Sequence, residues 1–138
     1  MLFRSTADGL MTLGIEPQGN RFEHVFDEKG RLTDVTDEEG GHWSYTRTVD
    51  ENGDVLVEMA TAENNVIAYL DNTDFSGVYT STVTDSAGGQ TVFSKSSDGL
   101  TVNQSLACGM DLDFIYDVDP EYKFKVLKIG RASCRERV

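Results

Sequence analysis

The chain has 138 residues, with 12 lysines and arginines against 24 aspartates and glutamates, a net charge of −12. That is the length of one ordinary domain. So acidic a surface repels nucleic-acid phosphates and anionic lipid, which argues against both as partners, and no run of about 18 apolar residues is present to insert in a membrane.

Glycine punctuates the chain from its start. Four-residue stretches ending in glycine recur as Glu16-Pro-Gln-Gly19, Asp27-Glu-Lys-Gly30, Asp37-Glu-Glu-Gly40, Asp50-Glu-Asn-Gly53, Asp74-Phe-Ser-Gly77 and Asp85-Ser-Ala-Gly88. Two weaker ones follow, Ser97-Asp98-Gly99 and Ala107-Cys108-Gly109. The gap from Gly53 to Gly77 is twice the usual interval. Asn65 at its midpoint takes the missing turn, because asparagine tolerates positive φ better than other non-glycine residues. The predicted marks fall at 19, 30, 40, 53, 65, 77, 88, 99 and 109. Chemically, an aspartate opening a turn accepts hydrogen bonds from backbone groups two or three residues on. The closing glycine relieves the cost of a left-handed residue where the chain re-enters a strand.

Between the marks lie β-branched and aromatic stretches, predicted as strands: residues 46–49, 55–59, 66–70, 78–84, 90–93, 100–106 and 110–116. Several alternate. Tyr79, Ser81 and Val83 oppose Thr80, Thr82 and Thr84, while Met110, Leu112 and Phe114 oppose Asp111, Asp113 and Ile115. A period of two predicts one packed and one solvated face. Turns every 8–12 residues between such strands predict an all-β array.

The stretch Phe26-Asp-Glu-Lys-Gly30-Arg-Leu-Thr-Asp-Val-Thr-Asp37-Glu-Glu-Gly40-Gly-His-Trp-Ser-Tyr45 resembles the YD repeat of Rhs and related wall-associated proteins. Phe26 stands where the repeat usually has tyrosine. Thr84-Asp85-Ser-Ala-Gly88, Ser97-Asp98-Gly99-Leu-Thr101 and Asp113-Phe-Ile-Tyr116-Asp-Val-Asp-Pro120 resemble bacterial members more loosely. The resemblance implies consecutive antiparallel β-hairpins forming a twisted, spiralling repeat sheet over residues 1–128. It further implies a structural shell of a large secreted or cell-surface protein, part of a cocoon around a C-terminal polymorphic toxin or other cargo. The implied partners are neighbouring repeats of the same chain and an enclosed toxin domain. A carbohydrate-binding surface module is the alternative from another class. No counterpart of the self-cleaving core found near the end of many such shells is present, which places the fragment inside the repeat array.

Residues 129–138, Ile-Gly-Arg-Ala-Ser-Cys-Arg-Glu-Arg-Val, read back codon by codon as a common short-read sequencing adaptor. They are expected to be an artefactual tail and not a domain. Without them the charge balance becomes 9 basic against 23 acidic residues, a net −14.

No catalytic residue, cofactor or metal site is expected. His24 and His42 are the only histidines, too few ligands for a metal. Cys108 is expected to be a buried, inert thiol. Asp50, Asn52 and Asp54, or Asp117 and Asp119, are weak calcium candidates; the first set lacks the glycine at position six and the glutamate at position twelve of a calcium loop. The turn motif comprises Asp27, Gly30, Asp37, Gly40, Asp50, Gly53, Asp74, Gly77, Asp85, Gly88, Asp98 and Gly99. Of the aromatic residues, Trp43, Tyr45 and Tyr79 are the candidates for sugar stacking, although cross-strand packing is the commoner use of such rings.

Overall fold

In the computed structural model, which describes residues 2–134, the punctuated sequence folds into strands alone. They are β1 (Leu2–Ser5), β2 (Met11–Ile15), β3 (Arg21–Phe26), β4 (Leu32–Thr36), β5 (His42–Val49) and β6 (Val55–Thr61). There follow β7 (Val66–Thr73), β8 (Tyr79–Thr84), β9 (Gln90–Lys95), β10 (Thr101–Ser105), β11 (Met110–Val118) and β12 (Lys125–Cys134). All are antiparallel and form one sheet whose spatial order is the order along the chain. Each connection is a hairpin, and glycine closes nine of the eleven short loops. The all-β hairpin array expected from the sequence is therefore the observed architecture.

By its contacts the chain divides into two compact units, Met1–Arg47 with Val57–Ile67, and Thr48–Leu56 with Ala68–Val138. In the first unit, Gly14 lies opposite Phe3 and Phe22, and Val35 lies opposite His24 and Trp43. Cross-strand partners share a face, so these rings gather on one side. Leu13, Glu23, Thr36 and His42 make a row on the other. Gly14 is the one buried residue among those described; it has no side chain and sits between two phenylalanines.

The second unit sorts its residues in the same way. One face carries the row Tyr79, Lys95, Val102 and Phe114, and beside it Ser81, Phe93, Gln104 and Leu112. The opposite face carries Thr80, Ser94, Asn103 and Asp113, then Thr82, Val92, Ser105 and Asp111. The alternation read in the sequence thus gives an aromatic face and a hydroxyl- and carboxylate-rich face.

The expectation of one packed and one solvated face needs correction. Among the described residues no hydrophobic side chain is buried. A packed face requires a second layer, and these strands form one layer, in which a side chain is screened only by its lateral neighbours. The tail is part of the last strand. Residues 129–134 continue β12, paired with β11 from Ile115↔Ile129 to Met110↔Cys134, and every residue of β12 is exposed. Backbone groups make that pairing, so it says nothing of where the sequence came from. Residues 135–138 of the tail lie outside the described residues.

Candidate functional site

Eleven hairpin loops carry the features that the sequence singled out. Nine of them close in the same way: the N–H of the opening residue reaches the carbonyl four residues on, and the N–H of the fourth residue returns to the opener's carbonyl. In the loop opened by Asp27 these bonds are Asp27 N to Arg31 O at 2.8 Å and Gly30 N to Asp27 O at 2.9 Å. The openers of the nine are Thr6, Glu16, Asp27, Asp37, Asp50, Thr61, Asp74, Asp85 and Leu106. This is a three-residue hairpin loop in which the last loop residue must be left-handed. Gly30, Gly40, Gly53, Gly77 and Gly88 accordingly have φ between 76° and 90°.

The opening aspartate has its own task. Asp50 Oδ1 accepts the N–H of Asn52 at 2.8 Å and that of Asp54 at 2.9 Å. Asp27, Asp37, Asp74 and Asp85 repeat the arrangement with residues two and four places on. The sequence expectation of two or three places needs that adjustment. Residue i+3 cannot donate to the side chain because its N–H is already used to close the loop. The N–H of Arg31 holds the Asp27 carboxyl below the usual aspartate range, with the Arg31 guanidinium adding to it. The Asp54 N–H does the same for Asp50, and the Ser76 hydroxyl for Asp74.

Two turn assignments change and two further turns are present. Asn64, not Asn65, takes positive φ (60°), since the loop opens at Thr61 and its fourth residue is 64. Asp98 does not open its turn. Ser96 does, closing a longer loop to Thr101, and its hydroxyl donates to Asp98 Oδ1 at 2.6 Å. Gly9 (φ 85°) closes a further turn from Thr6, which its spacing of ten from Gly19 could have revealed. The longer turn from Asp119 to Phe124 is closed by Lys123 at φ 61°, a residue with no sequence signal for it.

The calcium candidates are occupied otherwise. Asp50 caps its own turn, Asp119 Oδ1 accepts the N–H groups of Glu121 and Tyr122, and Lys128 Nζ reaches Asp117 at 3.1 Å. Among the described residues no group of three or more histidines, cysteines or carboxylates is placed to hold a metal. Cys108, expected to be buried, is exposed, because it is the middle residue of a three-residue hairpin loop and projects into solvent. His42 Nε2 lies 3.2 Å from Asp34 on the polar face. His24 stacks on Phe26 with centroids 6.4 Å apart, and its Nδ1 is buried without a hydrogen-bond partner.

Of the stacking candidates, Trp43 and Tyr45 alternate on one face of the first unit. Tyr45 lines a cleft of about 340 Å³ with Asp27, Arg31, Arg47 and Val57. Tyr79 belongs to the second unit and is engaged on several sides. Its hydroxyl donates to Asp71, Phe93 meets it edge-on at 6.2 Å, and Lys95 Nζ lies 5.9 Å from its ring. A ring that the sequence reading passed over is the most open of all: Phe75, at a hairpin tip, is fully exposed. It rims a cleft of about 430 Å³ with Asn52, Asp54, Asn72, Thr73 and Asp74.

No protein-family model matches the chain, and no curated protein matches it.

Proposed function

We propose that the chain is a structural wall segment of a large secreted or cell-surface hairpin-repeat protein of the YD/Rhs type, and not an enzyme. In that reading it helps to build a cocoon around a C-terminal toxin or other cargo. The observation that supports it is the repeated loop: nine of eleven connections share one hydrogen-bonded closure, opened by aspartate in five of them. A chain that repeats one hairpin is built to be extended, because each new hairpin adds to the previous one through backbone bonds. Among the described residues β1 and β12 are the outer strands of the sheet, and an outer strand is where a neighbouring repeat would pair. With no buried hydrophobic side chain among the described residues, the segment relies on neighbours for stability. Thermal unfolding of the isolated chain tests the reading. A broad, low-temperature transition is expected, and a sharp high-temperature transition in a monomer would overturn it.

A second reading, a carbohydrate-binding module, is favoured by one observation. Fully exposed Phe75 beside the carboxamides of Asn52 and Asn72 offers a stacking surface and hydrogen-bonding groups in one cleft. Glycan-array binding that is lost in Phe75→Ala would support it, and an array without signal would remove it.

A further inference from the structure

We propose that the aromatic face of the second unit is a contact surface for a second copy of this chain, the two sheets stacking face to face. This goes beyond the scaffold reading. Neighbouring hairpins extend a sheet along its edges and leave its faces as they were, so a face needs a different cover.

The face is built for contact. Tyr69, Tyr79, Phe93 and Phe114 lie on it with Val102 and Leu112, whereas the reverse side is mostly threonine, serine, asparagine and aspartate, with Leu70, Val92 and Ile115 among them and no aromatic ring in these rows. A sheet with one apolar face attains a core by laying that face on another layer, about 10 Å away. The chain leaves 10009 Å² accessible. A compact protein of 15.3 kDa leaves about 7100 Å², so about 2900 Å² is in excess. That excess belongs to both faces of the whole sheet, and a dimer of standard size would draw about 800 Å² from each copy.

Charge points to a copy of the same chain. At a net charge of −12 two copies repel in most orientations. The aromatic face is the exception: Asp71 is its acid, bonded to Tyr79, and Lys95 and Lys125 sit over Tyr79 and Tyr116. Of the other acids of these strands, Asp111 and Asp113 pair with Ser105 and Asn103 on the reverse side, and Asp117 pairs with Lys128. Face-to-face approach thus brings together the least negative surfaces. A two-fold arrangement further lets Lys95 of one copy face Asp71 of the other.

Sedimentation equilibrium of the full chain, from about 1 to about 100 µM, tests this. A dimer is expected, with Phe93→Ser shifting it at least about tenfold toward monomer and Thr82→Asp on the reverse face leaving it intact. Should Phe93→Ser fail to fold, cysteine cross-linking decides, with Cys108 and Cys134 changed to serine. Ser81→Cys, on the aromatic face, should give oxidised dimers, and Thr82→Cys should not. A folded chain that stays monomeric at the highest concentration overturns the proposal, as does preferential cross-linking at position 82. Its failure is separable from that of the scaffold reading: a weakly stable monomer sinks the stacking alone, and a sharply melting, thermostable monomer sinks both.

Discussion

The hydroxyl of Tyr79 donates to Asp71 Oδ1 at 3.0 Å across adjacent strands, tying a ring of the aromatic face to its acid. Both groups are partly buried. Tyr79→Phe removes the donor and leaves the carboxylate without it, at an expected cost of about 0.5–1.5 kcal/mol. Urea denaturation of Tyr79→Phe, Asp71→Asn and the double variant measures it. Strictly additive losses would show that the two groups do not interact.

The turn at Asn64 separates two adjacent identical residues. Asn64 has φ 60° while Asn65 closes the loop through its backbone. A residue with a Cβ but no side-chain hydrogen bond pays about 1–2 kcal/mol for the left-handed region. Asn64→Ala should lose about 1 kcal/mol, and Asn64→Gly should lose nothing or gain. Asn65→Ala should change stability much less. Equal losses at 64 and 65 would contradict the register.

Acid should loosen the turns. Asp27, Asp50 and Asp74 are held below the ordinary aspartate value of 3.8. Their folded pKa lies under the unfolded one, so the unfolded chain binds more protons as pH falls. Their contribution is complete above about pH 4 and is lost as pH drops through the lowered values. The variant Asp27→Asn/Asp50→Asn/Asp74→Asn keeps an accepting oxygen and cannot titrate, so its melting temperature should fall less between about pH 5 and about pH 2. Parallel pH profiles for the two proteins would rule this out.

His24 carries a buried nitrogen without a partner beside Phe26. Phenylalanine keeps the stack and deletes the unsatisfied atom, whose desolvation costs about 1–3 kcal/mol. His24→Phe should therefore unfold at equal or higher urea concentration than the parent. A clear destabilisation would mean that the nitrogen is satisfied in solution.

Much of the fold was legible beforehand because loop chemistry is local. Asp50 and Gly53 reveal a turn by themselves, since one supplies the acceptor and the other the left-handed residue, both within five positions. The alternation of Tyr79, Ser81 and Val83 with their threonine neighbours announced a strand and its two faces. The candidate sites were less legible. Phe75 looked like an ordinary turn residue, and nothing in its neighbours says that Asn72 and Asp54 converge on its cleft from separate hairpins.

The order of turns and strands therefore belongs to the amino-acid sequence, because each is a matter of a few adjacent backbone dihedrals. Pairing between strands decided the rest. It set the left-handed residue at Asn64, lined up Tyr79, Lys95, Val102 and Phe114 in one row, and left Cys108 in solvent. It also left every hydrophobic side chain among the described residues short of burial, since burial depends on a second layer and local sequence cannot say whether a face has one.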